Sequence, residues 1–184
     1  MIIAEANTYT ESTVIETFLI FLIVAPIAYA MVSGGPFVAT KKKVVKVMIL
    51  ESALKPGEIA YDIGAGNGRF IVLAKKLIGR NIYGIELAWP IWFSGVINLI
   101  IHGISPKYMR LGSFFRLNFG NIDVFFCYLL PRTMEKLRNK FETEANSGAR
   151  IISYNFRIEG WEPKRIVRPE GSGTIYIYEV PKRK

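Results

Sequence analysis

The stretch YDIGAGNGRF, from Tyr61 to Phe70, decides the fold of this chain. Apolar residues alternate at its start, as in a β-strand, and recur at helical spacing after its end. Gly64, Gly66 and Gly68 have no Cβ atom, so the backbone between strand and helix can turn with positive φ and approach a ligand closely. The amide groups at the start of the following helix would face the same ligand. The stretch therefore predicts a strand, a glycine turn and a helix that form a nucleotide-type cofactor site.

Two acidic residues narrow the choice of cofactor. Asp62 lies before the first glycine, and Glu86 ends the next predicted strand. The glycines follow a G-x-G-x-G spacing, whereas the dinucleotide fingerprint is G-x-G-x-x-G, which leaves room for a pyrophosphate. A carboxylate at the end of the second strand can accept hydrogen bonds from both ribose hydroxyls of an adenosine, and an early Asp suits a ligand with an ammonium group. S-adenosylmethionine has both features, and we expect it to be the cofactor.

The composition indicates one domain with an apolar appendage. The chain has 184 residues, of which 51% are hydrophobic, and its mean hydropathy of +0.25 is high for a soluble domain. The formal net charge is +9, but residues 1–40 contain no Lys or Arg, so the basic residues all lie in the remainder. A basic domain suits an anionic membrane surface, a nucleic acid or an acidic protein, and charge alone does not choose among them.

The apolar composition of the N-terminal region predicts a membrane helix. Residues 17–40 carry no charged side chain, and a helix over residues 14–33 would be about 30 Å long, the thickness of a bilayer core. Pro26 would kink this helix, which membrane helices tolerate. Residues 1–13 are polar and aperiodic, and we expect them to form a loose tail.

The charges that flank this helix predict its orientation. Three lysines at 41–43 follow directly, so the positive-inside rule predicts a single-pass membrane protein whose catalytic domain, residues 34–184, lies on the cytoplasmic side. Two alternatives remain open. Residues 28–30, Ala-Tyr-Ala, resemble the cleavage site of a signal peptide, although no basic region precedes the apolar run. The helix would otherwise be buried in the core of a soluble protein.

Strand and helix patterns alternate along the rest of the chain and end in a hairpin. This order predicts a doubly wound α/β fold with a mostly parallel seven-stranded sheet and an antiparallel strand at the C-terminal side. The run VFFCYLL is continuously apolar, as expected for a strand buried on both faces. The predicted strands are 59–63, the run ending at 86, 108–115, 123–130, 149–156, 165–168 and 174–180, and the predicted helices after the membrane segment are 43–54, 70–78, 91–102 and 131–145.

These residues resemble the class I, seven-stranded S-adenosylmethionine-dependent methyltransferases. A narrower likeness is to the small protein-lysine methyltransferases of mitochondria and archaea, whose mitochondrial members also carry an N-terminal membrane-embedding segment. The stretches that carry this likeness are PFVAT at 36–40, GIELAWPIWFSG at 84–95, CYLLPRTMEKL at 127–137 and ARIISYNFRIEGWEP at 149–163.

The resemblance implies roles for Glu86 and for several residues of the glycine loop. Asp62, Gly64 and Gly66 would hold the methionine end of the cofactor, and Glu86 would hold its ribose. Ala65 and Gly68 of the same loop are assigned to the same site.

Two departures from the family concern the adenine and the substrate. Relatives carry an acid that would bond the adenine amino group at the end of the third strand, where this chain has Ser113. We expect adenine to be bound more weakly there, or by backbone groups and Asn118. Ala39 replaces a Pro, and Ala88-Trp89-Pro90 replaces an Asn-Pro-Trp sequence, near the expected substrate mouth. These changes bear on the choice of target.

Methyl transfer from a sulfonium needs an aligned nucleophile rather than a dedicated base. Tyr128, toward the end of the fourth strand, is a candidate pocket residue or, equally, a core aromatic. Thr40 and Phe37 precede the cofactor loop and would form either a lid wall or a membrane-interface linker. Cys, His and acidic residues show no metal-ligand spacing, so no metal is predicted.

Three functions follow from these observations. The first is a membrane-anchored methyltransferase that acts on lysine in a protein, including a protein that is associated with a membrane. The second is a methyltransferase of a lipid, quinone or other small molecule at the membrane surface. The third is a non-catalytic, membrane-tethered binding module of the same fold. A bilayer is expected as a partner through the N-terminal helix, and nucleic acid is not.

Overall fold

The computed structural model describes residues 2–33, 38–80 and 82–182, with side chains in the first helix from Ser12 to Val32. Within these residues the helices are α1 (Ile2–Ser33), α2 (Lys42–Glu51), α3 (Arg69–Ile78), α4 (Trp89–Ile101) and α5 (Pro131–Glu144). The strands are β1 (Ala60–Ile63), β2 (Tyr83–Glu86), β3 (Met109–Leu111), β4 (Val124–Cys127), β5 (Arg150–Tyr154), β6 (Arg165–Val167) and β7 (Ile175–Glu179).

The strands form one seven-stranded sheet in the order β3-β2-β1-β4-β5-β7-β6. The first five strands are parallel, and β7 runs antiparallel between β5 and β6. This confirms the predicted mixed sheet. The parallel part needs crossover helices, and the hairpin of β6 and β7 closes the sheet at its other edge.

Helices cover both faces of the sheet, which makes two apolar cores. Residues of α2, α3 and α4 pack on one face, and residues of α5 pack on the other. Strand β4 shows the division, since Val124 and Phe126 join the first core while Phe125 and Cys127 join the second. The prediction of a strand buried on both faces is confirmed here.

Helix α1 is longer than predicted. The segment 1–13, expected to be a loose tail, is helical from Ile2 onward. Residues 2–24 contain no Gly or Pro, so nothing stops a helix that begins in the apolar stretch from extending toward the N-terminus. Ser12–Val32 is long and apolar enough to cross a membrane, and 6% of it is buried within the protein.

A proline in α1 creates the contact that joins this helix to the domain. Pro26 has no amide hydrogen, so it leaves the carbonyl of Leu22, four residues earlier, without its helical donor. The indole Nε1 of Trp89, at the start of α4, donates a hydrogen bond to that carbonyl at 3.1 Å. Two elements far apart in sequence are thereby joined at a site that the proline exposes.

The third and fourth strands end three or four residues earlier than predicted, which is more than the other strands do. The third strand stops at Leu111 because Gly112 adopts a φ of 149° and Ser113 caps a short 3-10 helix. The fourth strand stops at Cys127, and the next three residues, predicted as strand, leave the sheet at its carboxyl end.

We expect Trp89→Phe to lower the unfolding free energy of the full chain by about 1 kcal/mol, because the Leu22 carbonyl loses a donor. Thermal or urea unfolding in detergent micelles measures this loss. In a Pro26→Ala background the new amide can donate to Leu22 within the helix, so the same Trp89 change should then cost less than half as much. Equal costs in the two backgrounds would show that the hydrogen bond does not join the helices.

Candidate active site

The predicted site residues converge at the carboxyl ends of β1, β2 and β4. The register aligns Ile63 with Ile85 on one side and with Cys127 on the other, so the loops that follow these strands begin at the same level. Strand order reverses between β1 and β4, and such switch points are where open α/β sheets bind ligands.

The glycine loop is fastened to β2 through its backbone. The amides of Gly64 and Ala65 both donate to the carbonyl of Ile85 at 3.0 Å. Gly64 has a φ of 82°, and a Cβ there would lie 3.2 Å from Leu129 Cδ2. Glycine at this position therefore permits both the turn and the close approach of the loop after β4.

The carboxylate of Glu86 joins the loops after β1 and β2. One oxygen accepts from the amide of Gly66 at 3.0 Å, and the other accepts from the amides of Leu87 and Ala88 at 2.9 and 3.0 Å. A carboxylate has about four acceptor positions, so these bonds orient the group and leave capacity for a hydroxyl donor. This geometry suits the ribose contact that the sequence predicts.

The carboxylate of Asp62 is in a different situation. It is buried beside Glu86, and no residue that the structure describes donates a hydrogen bond to it. Burial raises the pKa of Asp62 well above its usual value, and the nearby negative charge of Glu86 raises it further. A buried carboxylate without a donor favours a cationic ligand, as expected for a cofactor that carries an ammonium group.

These residues open into a cavity of about 410 Å³. Its wall contains most of the predicted site residues, namely Thr40, Asp62, Gly64, Ala65, Gly66, Glu86 and Tyr128. The structure thus brings together residues from four separate segments of the chain. The volume lies in the range of small-molecule sites in proteins.

Arg69 is a site residue that sequence reasoning missed. It lines the cavity at the first position of α3, and its Nη1 donates to the carbonyl of Thr40 at 2.7 Å. This bond holds the segment of Val38, Ala39 and Thr40 against the cavity. Thr40 therefore lies in the cavity wall, and its role as a lid stays a prediction, while Phe37 lies outside the described residues. Its position directly after the glycine loop, at the start of the helix, could have identified Arg69 as a site residue from the sequence.

The end of α1 forms another wall that the sequence did not indicate. Ile27, Ala30 and Met31 line the same cavity. No local pattern distinguishes these residues from the other apolar residues of α1, since their role depends on how the helix packs against the domain. The apolar helix is therefore part of the site as well as an extension of the chain.

Tyr128 lies at the cavity within a group of aromatic rings. Its ring centroid is 4.8 Å from that of Tyr154 and 6.2 Å from that of Phe156, with the second pair nearly parallel. Tyr128 is half-buried and lines the cavity, which is compatible with both interpretations of the sequence. It packs as a core aromatic and also presents a surface to the site.

Three predicted cofactor residues do not line the cavity. Gly68 caps α3, and a Cβ there would lie 2.6 Å from Leu99 Cδ1, so this glycine permits α4 to pack closely. The hydroxyl of Ser113 accepts from the amide of Phe115 at 3.3 Å, and Asn118 Oδ1 accepts from the amide of Gly120 at 2.8 Å. Local turns thus engage one acceptor atom of each side chain, and the adenine role of Ser113 and Asn118 stays a prediction.

The residues present fit an adenosine cofactor with a cationic group. Asp62 supplies a buried carboxylate to which no described residue donates, Glu86 supplies an oriented one, and the glycine loop leaves room between them. Within the described residues, no group of three or more His, Cys, Asp or Glu side chains is arranged to hold a metal ion.

Comparisons with known proteins place this geometry in a family. Residues 62–165 match the family model of the ANTKMT methyltransferase domain. A protein-lysine N-methyltransferase of Saccharolobus islandicus is 30% identical over 154 residues, which cover 81% of this chain and 96% of that protein. The adenine nucleotide translocase lysine N-methyltransferase of Mus musculus is 26% identical over 150 residues, which cover 79% of this chain and 63% of the mouse protein.

A solved structure agrees with these relatives. The RNA methyltransferase of Salinibacter ruber, in complex with S-adenosyl-L-homocysteine, superposes with a TM-score of 0.74 and is 28% identical, covering 80% of this chain and 96% of that one. The matched residues begin at Asp62 and include Glu86 and Tyr128, so the family match covers most of the cavity. The chain belongs to the ANTKMT methyltransferase domain family.

Proposed function

We propose that this chain is a membrane-anchored, S-adenosylmethionine-dependent methyltransferase that methylates lysine side chains of protein. The observation that carries the proposal is the buried carboxylate of Asp62, which has no donor among the described residues, beside the oriented carboxylate of Glu86 at the carboxyl end of the sheet. The relatives named as lysine N-methyltransferases support the substrate class.

When bound, the cofactor would supply a methyl group on a sulfonium. Asp62 would accept hydrogen bonds from its ammonium group, and a free acceptor position of Glu86 would bind the ribose. The glycine loop would allow the backbone to lie against the ligand. The protein's part in the reaction is to bind, orient and exclude water, which an in-line displacement mainly requires.

The cavity also suits a lysine side chain. An amine of pKa about 10.4 must lose its proton before it can attack, and apolar surroundings favour the neutral form. Ile27, Met31, Val38 and Leu129 supply such surroundings, and the ring of Tyr128 would lie along the alkyl chain or the amine. No dedicated base is needed in this mechanism.

The apolar helix α1 supports the membrane anchor. Its exposed side chains between Val14 and Val24 are apolar apart from Glu16 and Thr17, and three lysines at 41–43 follow the helix. We propose that α1 inserts into a bilayer and that the catalytic domain lies on the cytoplasmic side. Carbonate or high-salt extraction that released the full chain from membranes would contradict this.

A small apolar acceptor is the second candidate. Ile27, Ala30 and Met31 belong to the proposed membrane helix and line the cavity, so a lipid or quinone would have a short path from the bilayer to the cofactor. A non-catalytic role is disfavoured, because a binding module does not require an unpaired buried carboxylate at a cofactor cavity.

Methyl-labelled S-adenosylmethionine, incubated with the full chain and with membrane or soluble extracts, tests the substrate class. We expect label in protein that hydrolyses to methyl-lysine. The Asp62→Asn variant should incorporate at least about 10-fold less label, because the cofactor loses a hydrogen bond to a charged group. Lipid and RNA fractions are counted separately. Label confined to lipid would contradict the lysine substrate and support the small apolar acceptor. Label confined to RNA would contradict both of these substrate classes.

The raised pKa of Asp62 predicts how the stability of the protein depends on pH, which can be measured without a substrate. Between the unfolded pKa, about 3.9, and the raised folded pKa, the cofactor-free folded protein binds more protons than the unfolded chain, so its stability falls as pH rises through that window. Asp62→Asn removes this fall. We therefore expect the variant without cofactor to melt at a higher temperature than the wild type at pH 7.

The same variant should bind the cofactor about 10-fold to 100-fold more weakly, since hydrogen bonds to charged groups contribute about 1.5–3 kcal/mol. Calorimetry measures the affinity, and thermal unfolding across pH measures the stability. Asp123→Asn is the matched control, because Asp123 accepts from the amide of Ile59 at 2.8 Å and does not line the cavity. Unchanged affinity in Asp62→Asn would remove Asp62 from the site.

A further inference from the structure

Helix α4 has an exposed face that is apolar along its whole length. Its large exposed side chains are Trp89, Phe93, Ile97, Ile100 and Ile101, with exposed fractions from 41% to 73%. Spacings of three and four residues put these side chains on one side of the helix. The chain contains no Asp, Glu, Lys or Arg between Glu86 and Lys107. An exposed apolar face of this length indicates a partner that covers it.

The other helices that pack on the sheet do not share this property. The outward face of α3 carries Lys75 and Lys76 beside Leu77. The outward face of α5 is mostly charged or polar, with the exposed side chains Arg132, Glu135, Lys136, Asn139 and Glu142. A helix that packs on a sheet in water normally has this second pattern. The apolar face of α4 is therefore a particular feature of that helix.

The polar side chains of α4 each make a hydrogen bond within the protein. Each polar side chain of the helix donates to a backbone carbonyl: Trp89 Nε1 to Leu22 at 3.1 Å, Trp92 Nε1 to Met109 at 3.0 Å, Ser94 Oγ to Ile91 at 2.6 Å and Asn98 Nδ2 to Asn67 at 2.8 Å. Ser94 is exposed, yet its hydroxyl is directed to the helix backbone. A helix face can contact hydrocarbon only if its polar groups have partners within the protein, and these hydrogen bonds provide partners for the polar side chains of α4.

The contact between α1 and α4 sets the depth of α4. Leu22, which accepts the Trp89 hydrogen bond, lies near the middle of the apolar stretch Ser12–Val32. At 1.5 Å per residue, Leu22 is about 15 Å along the helix axis from Val32. Where α1 lies in a bilayer, the first turn of α4 is held beside the hydrocarbon rather than beyond the headgroups.

We propose that α4 embeds its apolar face in the bilayer next to α1, so that the protein contacts lipid acyl chains through two helices. The inference rests on the proposed membrane insertion of α1. Since α1 and α4 both contribute to the cavity wall, through Ile27 and Ile91, the cavity is held at the membrane surface.

Cysteine labelling of the full chain in phospholipid vesicles tests this contact. An environment-sensitive fluorophore is attached at Ile97→Cys on α4, at Leu19→Cys on α1 and at Leu77→Cys on α3. Ile97 and Leu77 are similarly exposed, at 42% and 39%, which makes Leu77 the matched control. The wild type serves as the labelling blank, because its one cysteine, Cys127, is buried and burial raises the pKa of that thiol.

Lipids with a nitroxide on the acyl chain provide the readout. We expect them to quench the fluorophore at Ile97 at least half as strongly as at Leu19, and to leave the fluorophore at Leu77 unquenched. Quenching at Leu19 with none at Ile97 would overturn the embedding of α4 and leave the α1 anchor intact. No quenching at either position would overturn both membrane contacts. A blue-shifted but unquenched fluorophore at Ile97 would also overturn the proposal, and would show that protein, such as a second copy of the chain, covers α4.

Methyl transfer is not part of this readout. A chain that inserts α4 but methylates no lysine would contradict the proposed substrate and leave the membrane contact standing. A chain that methylates lysine while the fluorophore at Ile97 stays unquenched, like that at Leu77, would support the proposed substrate and contradict the membrane contact of α4. The two proposals therefore fail separately.

Discussion

The carboxylate of Glu86 is the interaction on which the candidate site depends. It accepts hydrogen bonds from Gly66 in the loop after β1 and from Leu87 and Ala88 after β2, so one side chain fixes two loops relative to each other. Charged acceptors make stronger hydrogen bonds than neutral ones, and several donors hold this carboxylate in one orientation. The same group can then present its remaining acceptor capacity to a ligand without rearranging.

Asp62 has the complementary role. The strand β1 places its carboxylate next to Glu86, in a buried position where no described residue donates to it. Such a group destabilises the cofactor-free fold, because burial and a neighbouring negative charge both oppose ionisation. A cationic ligand removes that penalty. The site thus separates its two carboxylates into one that maintains the loops and one that responds to the ligand.

The apolar N-terminal helix belongs to this arrangement. Pro26 leaves the Leu22 carbonyl without a helical donor, and the indole of Trp89 donates a hydrogen bond to it. Helix α1 packs against α4 at this point, and its last turns line the cavity. Helix α4 supplies the indole, part of the cavity wall and an uncharged outer face. A change in how α1 packs would therefore alter the shape of the cavity as well as the attachment of the domain.

The sequence by itself determined the strand, loop and helix around Asp62 and the acid Glu86, since these depend on local spacing and on the alternation of apolar residues. It also determined the alternating strands and helices of the sheet. The role of Asn118, whose side chain bonds a nearby amide in its own turn, stays a prediction. Only the tertiary structure decided that Trp89 meets Leu22, because contacts between residues far apart in sequence leave no periodic pattern and depend on how completed elements pack.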